Sequence, residues 1–384
     1  MKLIKMPFKK TFFKIQFNPP SKKKILIYDA VGLEYFDKFF FKKDYEIFYN
    51  RYEKINFFIL AKVFIKNGFN NIKKNYKFSY ISYVSPKVII TFVDNNPGFY
   101  LIKEKFPEII FISIQNGLRN RLDFLNLKKG LANKKLHCDY ILVLSTNFII
   151  KFREIFTGYI KNIGSFKLNF FSKKNTSEEK SILFISQTNK NIDLKKIVFN
   201  EILLIKYLNQ YCIDNNLDLT ILLKGKNLLL KRFKKEFNDK IFDKINYIIR
   251  NDSFSNYKII KKFKLVCFSH STLGLEAFGL GKKIAALPLG STSKKWRKAN
   301  NVLFVEKFGY PGFFKNRGFF WSNTINKHIL YKIIDRVLKA SRQKWYYQLK
   351  KNNNLITYNY QNTILKKIIK KHINVKIKSF KINN

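Results

Sequence analysis

Cysteine and histidine are scarce in this chain, with three of one and four of the other in 384 residues. Cys138, Cys212 and Cys267 stand far apart, and no CxxC or Cys/His cluster occurs. A disulfide scaffold and a structural zinc site are thereby excluded. His137, His270, His328 and His372 are equally scattered, so an imidazole-based metal centre has no ligands to draw on. No run of 18 apolar residues is present, which excludes a membrane-spanning helix. GxxxxGK[ST] is missing, because Gly274 and Gly279 lead into Leu280, and the first strand is followed by DAVG instead of GxGxxG. These absences argue against a nucleoside-triphosphate loop and a nicotinamide or flavin fingerprint. There is no GxSxG elbow for a hydrolase. No DxD pair exists, so sugar transfer through a chelated metal also lacks its usual ligands. We expect neither a metal nor a cofactor.

Acidic residues are few as well: 25 Asp and Glu face 75 Lys and Arg, for a net charge of +50. Lysine, asparagine, isoleucine and phenylalanine are abundant together, as an AT-rich coding sequence produces, and the basic residues run along the whole chain without forming a stripe. A nucleic-acid footprint would cluster, so we expect no nucleic-acid partner. The surface charge suits anionic membranes and phosphate-bearing substrates instead. Aromatic residues are plentiful, 41 Phe and 21 Tyr among them, so core material is not limiting. Residues 1–23 form a basic leader that mixes Phe and Lys and carries Pro19 and Pro20. It lacks the continuous apolar core of a signal peptide, and a cytoplasmic location is expected. The leader reads either as a loosely ordered tail or as a surface-lying anchor on the inner face of the cytoplasmic membrane.

Apolar runs then alternate with helical periodicity. Strands are expected at Lys24–Tyr28, Tyr45–Tyr49, Lys87–Val93, Ile109–Ile114, Tyr140–Leu144 and Tyr159–Ile163, with helices at Ile55–Lys66, Gly98–Phe106 and Asn147–Phe156. A polar linker spans 171–180, and a second alternation follows. Strands at Ser181–Ser186, Leu219–Leu223, Asn246–Ile249, Lys264–Phe268 and Ile284–Leu287 are separated by helices, those at Phe199–Asn215 and Asn227–Phe237 among them. The implied architecture is α/β: an N-terminal Rossmann-like domain over 24–170, a C-terminal one over 181–345, and a helix with a basic tail over 346–384. Helices at Asn323–Ala340 and Asn354–His372 close the chain, the last returning toward the first domain.

Ligands of open parallel sheets sit beyond the carboxyl ends of the strands, so residues just after each strand are the candidates. In the first half these are Asp29, then Asp94, Asn95 and Asn96, then Gln115, Asn116 and Gly117. In the second they are Ser186 and Gln187, Lys224 and Gly225, and Ser269, His270, Ser271 and Thr272. The stretch KLVCFSHSTLGLEAFGLGKKIAALP, Lys264–Pro288, organises the set. A hydroxyl opens its helix, where free N–H groups and the helix dipole make an anion site, or else an ordinary cap.

The run TFVDNNPGFYLIKEKFPEIIFISIQNGLRN, with HCDYILVLS, IGSFKLN, SHSTLGLEAFGLGKK and FGYPGFFKNRGFFWSN after it, resembles the bacterial surface carbohydrate biosynthesis proteins. These are capsule and lipopolysaccharide transferases with a GT-B glycosyltransferase-like fold, and the similarity covers most of residues 24–345. It implies two Rossmann-like domains facing across a cleft. It also implies a nucleotide-sugar donor whose phosphates lie at Ser269, His270, Ser271 and Thr272. Glu276 would meet the donor's ribose or sugar hydroxyls, or be a helix-surface residue. Lys224 and Gly225 stand where relatives place His-Pro, and Gln115, Asn116 and Gly117 where several have Gln-His-Gly. Asparagine cannot act as a base, so Asp94 is the expected base toward a saccharide or lipid-linked acceptor, with Asp29 second. Asp94 has an alternative role as a helix cap or in an Asx turn with Asn95 and Asn96. Arg119 and Arg121 would clamp an acceptor anion or stay solvated. Gly309–Trp321, rich in glycine and phenylalanine, reads as a mobile cleft loop or as a loop packed on the sheet edge, and Trp321 is its candidate stacking residue. The activity implied is metal-independent sugar transfer. A nucleotide-sugar epimerase and a non-catalytic scaffold of polysaccharide assembly are the alternatives.

Overall fold

The computed structural model describes residues 14–119, 121–129, 134–173, 179–186, 195–223, 245–250, 254–269, 271–287, 317–322 and 326–379. Short, fully apolar runs form its strands. Ile-Leu-Ile-Tyr of β2 (Ile25–Tyr28) and Val-Ile-Ile-Thr of β5 (Val88–Thr91) are buried at every position. Such segments satisfy both faces only inside a parallel sheet covered by helices. With β3 (Tyr45–Phe48), β6 (Ile110–Ile114), β7 (Leu136–Val143) and β8 (Phe156–Asn162) they make a parallel sheet in the order β3-β2-β5-β6-β7-β8. A second parallel sheet has the order β11-β10-β9-β12-β13, from β9 (Glu179–Ile185), β10 (Asp218–Leu223), β11 (Asn246–Ile249), β12 (Phe263–Phe268) and β13 (Ile284–Ala286). In each sheet the order reverses within the strands, and this is where a doubly wound sheet opens a crevice.

Part of the basic leader is ordered: β1 (Lys14–Gln16) pairs in parallel with β4 (Lys54–Asn56). The Asn56 side chain both donates to the Asn18 carbonyl at 2.7 Å and caps the helix that follows. The expectation of a loosely ordered tail therefore fails for residues 14–18, whose Ile15 and Phe17 remain exposed, and residues 1–13 lie outside the described residues.

The helices of the first domain are α1 (Leu33–Phe39), α2 (Phe57–Asn67), α3 (Ile72–Val84), α4 (Pro97–Lys103), α5 (Arg121–Lys128) and α6 (Thr146–Arg153). Those of the second are α7 (Lys195–Asp214), α8 (Ser255–Lys262), α9 (Thr272–Gly279), α10 (Lys327–Leu338) and α11 (Arg342–Lys351). The α9 helix is buried from Leu273 to Gly279, and a Cβ on Gly274 would come within 2.2 Å of the Phe268 ring on β12. Glycine there lets the helix lie directly on the sheet.

After α11 the chain returns to the first domain and ends in α12 (Thr363–His372). Asn169 and Asn362 bond side chain to side chain at 2.8 Å, and Tyr140 and His372 at 2.9 Å. Gly164, at φ +76°, allows this return, because a Cβ would lie 2.1 Å from the Thr357 carbonyl. Aromatic rings fill the joint between domains: Tyr35 packs on Phe254 with centroids 4.8 Å apart, and Phe171 stacks on Tyr257 at 4.4 Å.

Candidate functional site

At the carboxyl edge of the first sheet, Asp94 follows β5 and is 0% exposed. Arg119 donates to it through Nε at 2.8 Å and through Nη2, and the Asn116 N–H adds a third bond at 3.1 Å. Burial works against the Arg119 charge, but the Asp94 carboxylate more than offsets this and holds the guanidinium above its ordinary value. The same fork reaches the Asn116 Oδ1 at 2.6 Å. Gln115 ties the edge further, accepting from the Leu144 N–H at 3.0 Å and donating to the Gly117 carbonyl at 2.9 Å. Asp29, after β2, is also buried, in a left-handed backbone at φ +83°. It accepts from the Val31 N–H at 3.0 Å and from Arg51 Nε at 3.1 Å.

The carboxyl edge of the second sheet is built differently. Ser271 is the N-cap residue of α9 yet makes no side-chain cap bond, so the first-turn N–H groups receive none from it. One turn on, Glu276 is 1% exposed. It accepts from Ser165 Oγ at 2.5 Å and Tyr257 OH at 2.8 Å, with Lys167 Nζ at 3.5 Å. Burial first, then the Glu276 charge, push the Tyr257 phenol well above its usual value, so it stays a donor. Arg250, directly after β11, donates from Nη2 to the Ser186 carbonyl at 3.2 Å, while its buried Nε has no partner among the described residues. Burial lowers its pKa to about 10, with Glu201 and Glu276 pulling the other way, and it remains a cation at neutral pH.

The two edges touch. The Leu118 N–H donates to Thr272 Oγ1 at 3.0 Å, and a Cβ on Gly117 would sit 3.3 Å from that oxygen. The loop after β6 thus meets the first residue of α9, and the cleft lies between two facing strand edges.

The model of a family described as "putative O-antigen biosynthesis protein" matches residues 112–373, more than half of the chain. The chain belongs to this family. Among solved structures, MnaA of S. aureus in complex with UDP is 14% identical. Their match covers 92% of this chain and 98% of that one, with a TM-score of 0.53. UDP-GlcNAc 2-epimerase of Methanocaldococcus jannaschii, in complex with UDP-GlcNAc and UDP, is 15% identical over 90% of this chain and 99% of its own, with a TM-score of 0.51. The wall teichoic acid polymerase TagF is 10% identical over 91% of this chain and 87% of its own, also at 0.51. These are likenesses of fold, and the fold is GT-B-like, with two Rossmann-like domains. No curated protein matches the chain.

Within this O-antigen family member the residues singled out from sequence take unequal places. Gln115, Asn116, Gly117, Arg119 and Asp94 converge, and Gly117 reaches Thr272 across the cleft. Asp94 is not presented as a base, since its carboxylate is enclosed and held by three donors. Asp29 is likewise enclosed, and the Arg119 fork is spent on Asp94 and Asn116. The cap of α4 is Asn96, which accepts from the Gly98 N–H at 3.0 Å, while Asn95 is exposed on the turn. Glu276 neither meets open space nor lies on a helix surface; it braces the domain joint. Trp321 is 9% exposed and packed on the sheet edge, where Phe320–Trp321 pairs beyond β13 and the Ala286 N–H donates to the Phe320 carbonyl at 2.8 Å. Ser269 and Ser271 are buried beside α9. Lys224, Gly225, His270, Gln187 and most of the Gly309–Trp321 loop lie outside the described residues, as does the Arg121 side chain. Arg250 was missed from sequence. Its position directly after a strand was the available signal, obscured by the density of basic residues around it.

Proposed function

We propose that this chain is a glycosyltransferase of surface polysaccharide biosynthesis that moves a sugar from a nucleotide donor to a saccharide or lipid-linked acceptor. The observation that carries the reading is the α9 edge. A helix N-terminus whose cap serine makes no cap bond and the Arg250 cation, bonded to the Ser186 carbonyl, lie at the carboxyl end of the same Rossmann-like sheet. That edge concentrates positive potential where a diphosphate would lie. Charge develops on the leaving diphosphate during transfer, and these fixed groups would stabilise it in place of a metal. The likeness in fold to proteins solved with UDP and UDP-GlcNAc supports a uridine nucleotide as the first donor to test.

A thermal-shift screen over nucleotides and nucleotide sugars, with and without chelator, tests this, because a ligand of the folded state raises its stability by mass action. The expected result is a shift with one nucleotide class, unchanged by chelator and lost on combining Ser271→Ala with Thr272→Ala. No shift at millimolar nucleotide would overturn it. A second reading, a non-catalytic member of the assembly machinery, is favoured by the enclosure of Asp29, Asp94 and Glu276, which leaves no described carboxylate of this set open as a base. Polysaccharide output that survives Arg250→Gln would select it. Release of an epimerised nucleotide sugar without any acceptor would select the epimerase.

A further inference from the structure

A cavity of about 860 Å3 opens on the first domain between α3 and α4, beside the strand ends that carry Asp29 and Asp94. Four ammonium groups line it, Lys73, Lys74 and Lys77 from α3 and Lys105 just past α4, against one carboxylate, Glu104, which pairs with none of them. The sequence of α3, IKKNYKFSYISYV, contains no carboxylate, and Lys73 and Lys77 share one face four residues apart. Like charges at that spacing repel each other. None of the four forms an ion pair with a described residue.

Lys77 is the informative member. It is half-buried, burial lowers its pKa, and its bond is to Tyr28 OH at 3.2 Å, which itself donates to Asn50 at 2.7 Å. Lys103, one turn from the cavity on α4, shows how this protein treats a buried ammonium that is purely structural. Its Nζ has Asp139 at 2.8 Å and two carbonyls, of Pro107 and Ile109, at 2.9 and 2.6 Å. A partly desolvated cation without a counter-charge is costly unless an anion completes it. Hydrocarbon lies among these cations: Phe78 on α3 itself, with Lys74 Nζ 5.7 Å from its ring centroid, and Leu101 of α4, which is 49% exposed. An excess of cations beside exposed hydrocarbon fits an amphipathic anion.

We propose that this cavity binds the phosphate or diphosphate of the acceptor, an ester whose other substituent is an apolar chain lying along Leu101 and Phe78. Naming the ligand an acceptor rests on the transferase reading; the chemistry of the pocket does not. Asp29 links the pocket to the cleft through its bond to Arg51, which lies between the lining residues Asn50 and Tyr52.

Calorimetric titration of the full chain with geranyl diphosphate, inorganic pyrophosphate and phosphatidylglycerol vesicles tests the assignment. Geranyl diphosphate should bind about tenfold more tightly than pyrophosphate, and Leu101→Ser should narrow that gap. Lys77→Gln should weaken geranyl diphosphate about tenfold, since it removes a charged contact. The exposed pair Lys73→Gln with Lys74→Gln, which cannot disturb the core, should weaken it severalfold. Lys350→Gln with Lys351→Gln, on exposed α11 positions, removes equal charge elsewhere and should change nothing. Equal losses in both lysine pairs would reduce the effect to general surface charge and overturn the proposal. Pocket-dependent binding seen with vesicles alone would overturn the acceptor assignment in favour of a lipid headgroup. UDP thermal shifts in the same variants separate this from the donor reading. Geranyl diphosphate bound through Lys77 without a UDP shift supports the pocket and removes only the transferase, and the reverse result removes only the pocket.

Discussion

The carboxyl edges of the two sheets face each other, and the polar groups around Asp94 are engaged differently from those around α9, although Ser145, the cap residue of α6 on the first edge, makes no cap bond either. At the first, the groups around Asp94 have partners within the protein: Asp94 with Arg119 and Asn116, Gln115 with Leu144 and Gly117, Asn96 with Gly98. At the second, the cap serine of α9 makes no cap bond and the Arg250 Nε has no described partner. A buried network that is fully satisfied is rigid and has little left for a ligand, whereas an edge left incomplete is completed by what binds there. Around Asp94 the first edge is therefore a frame, and the second is the edge proposed above to receive the donor. The lysine cavity beside the first edge gathers four ammonium groups that form no ion pair with a described residue.

The largest effect should come from breaking the frame. Asp94→Ala would strand Arg119 as a buried unpaired charge, at a cost of about 3–5 kcal/mol in urea unfolding. Asp94→Leu combined with Arg119→Met should recover much of that loss. If Asp94→Ala leaves stability intact and abolishes activity, the frame is a catalytic site and the comparison fails. Arg250→Gln should behave in the opposite manner, with stability nearly unchanged and nucleotide affinity down about tenfold or more. Calorimetry on the same sample reads both. The smallest effects sharpen the contrast between helix starts. Asn96→Ala removes an engaged cap and should cost about 1 kcal/mol, whereas Ser271→Ala removes an unengaged one and should cost clearly less. Equal costs in matched urea titrations would show that Ser271 caps α9 in solution.

Much of this was legible in the chain. Runs such as ILIY and VIIT read as parallel strands because a segment apolar at every position can be buried only on both faces. The α3 helix was not read, since its tyrosines and lysines give hardly any amphipathic contrast, and packing of Tyr76, Tyr80 and Ile81 on the sheet decides it. Strand-end position located Asp94, Gln115, Gly117 and Thr272 correctly in space. It could not say that Arg119, 25 positions further on, would claim the carboxylate. Glu276 illustrates the same limit, because its partners Ser165 and Tyr257 come from different domains.

By itself the sequence determined the alternation of apolar strands and helices, and with it two parallel sheets and their carboxyl edges, because burial of apolar surface follows local pattern. Only the tertiary structure decided which polar groups at those edges are consumed and which stay available. A hydrogen bond or ion pair depends on distances of about 3 Å between residues far apart in the chain, and no local pattern encodes them.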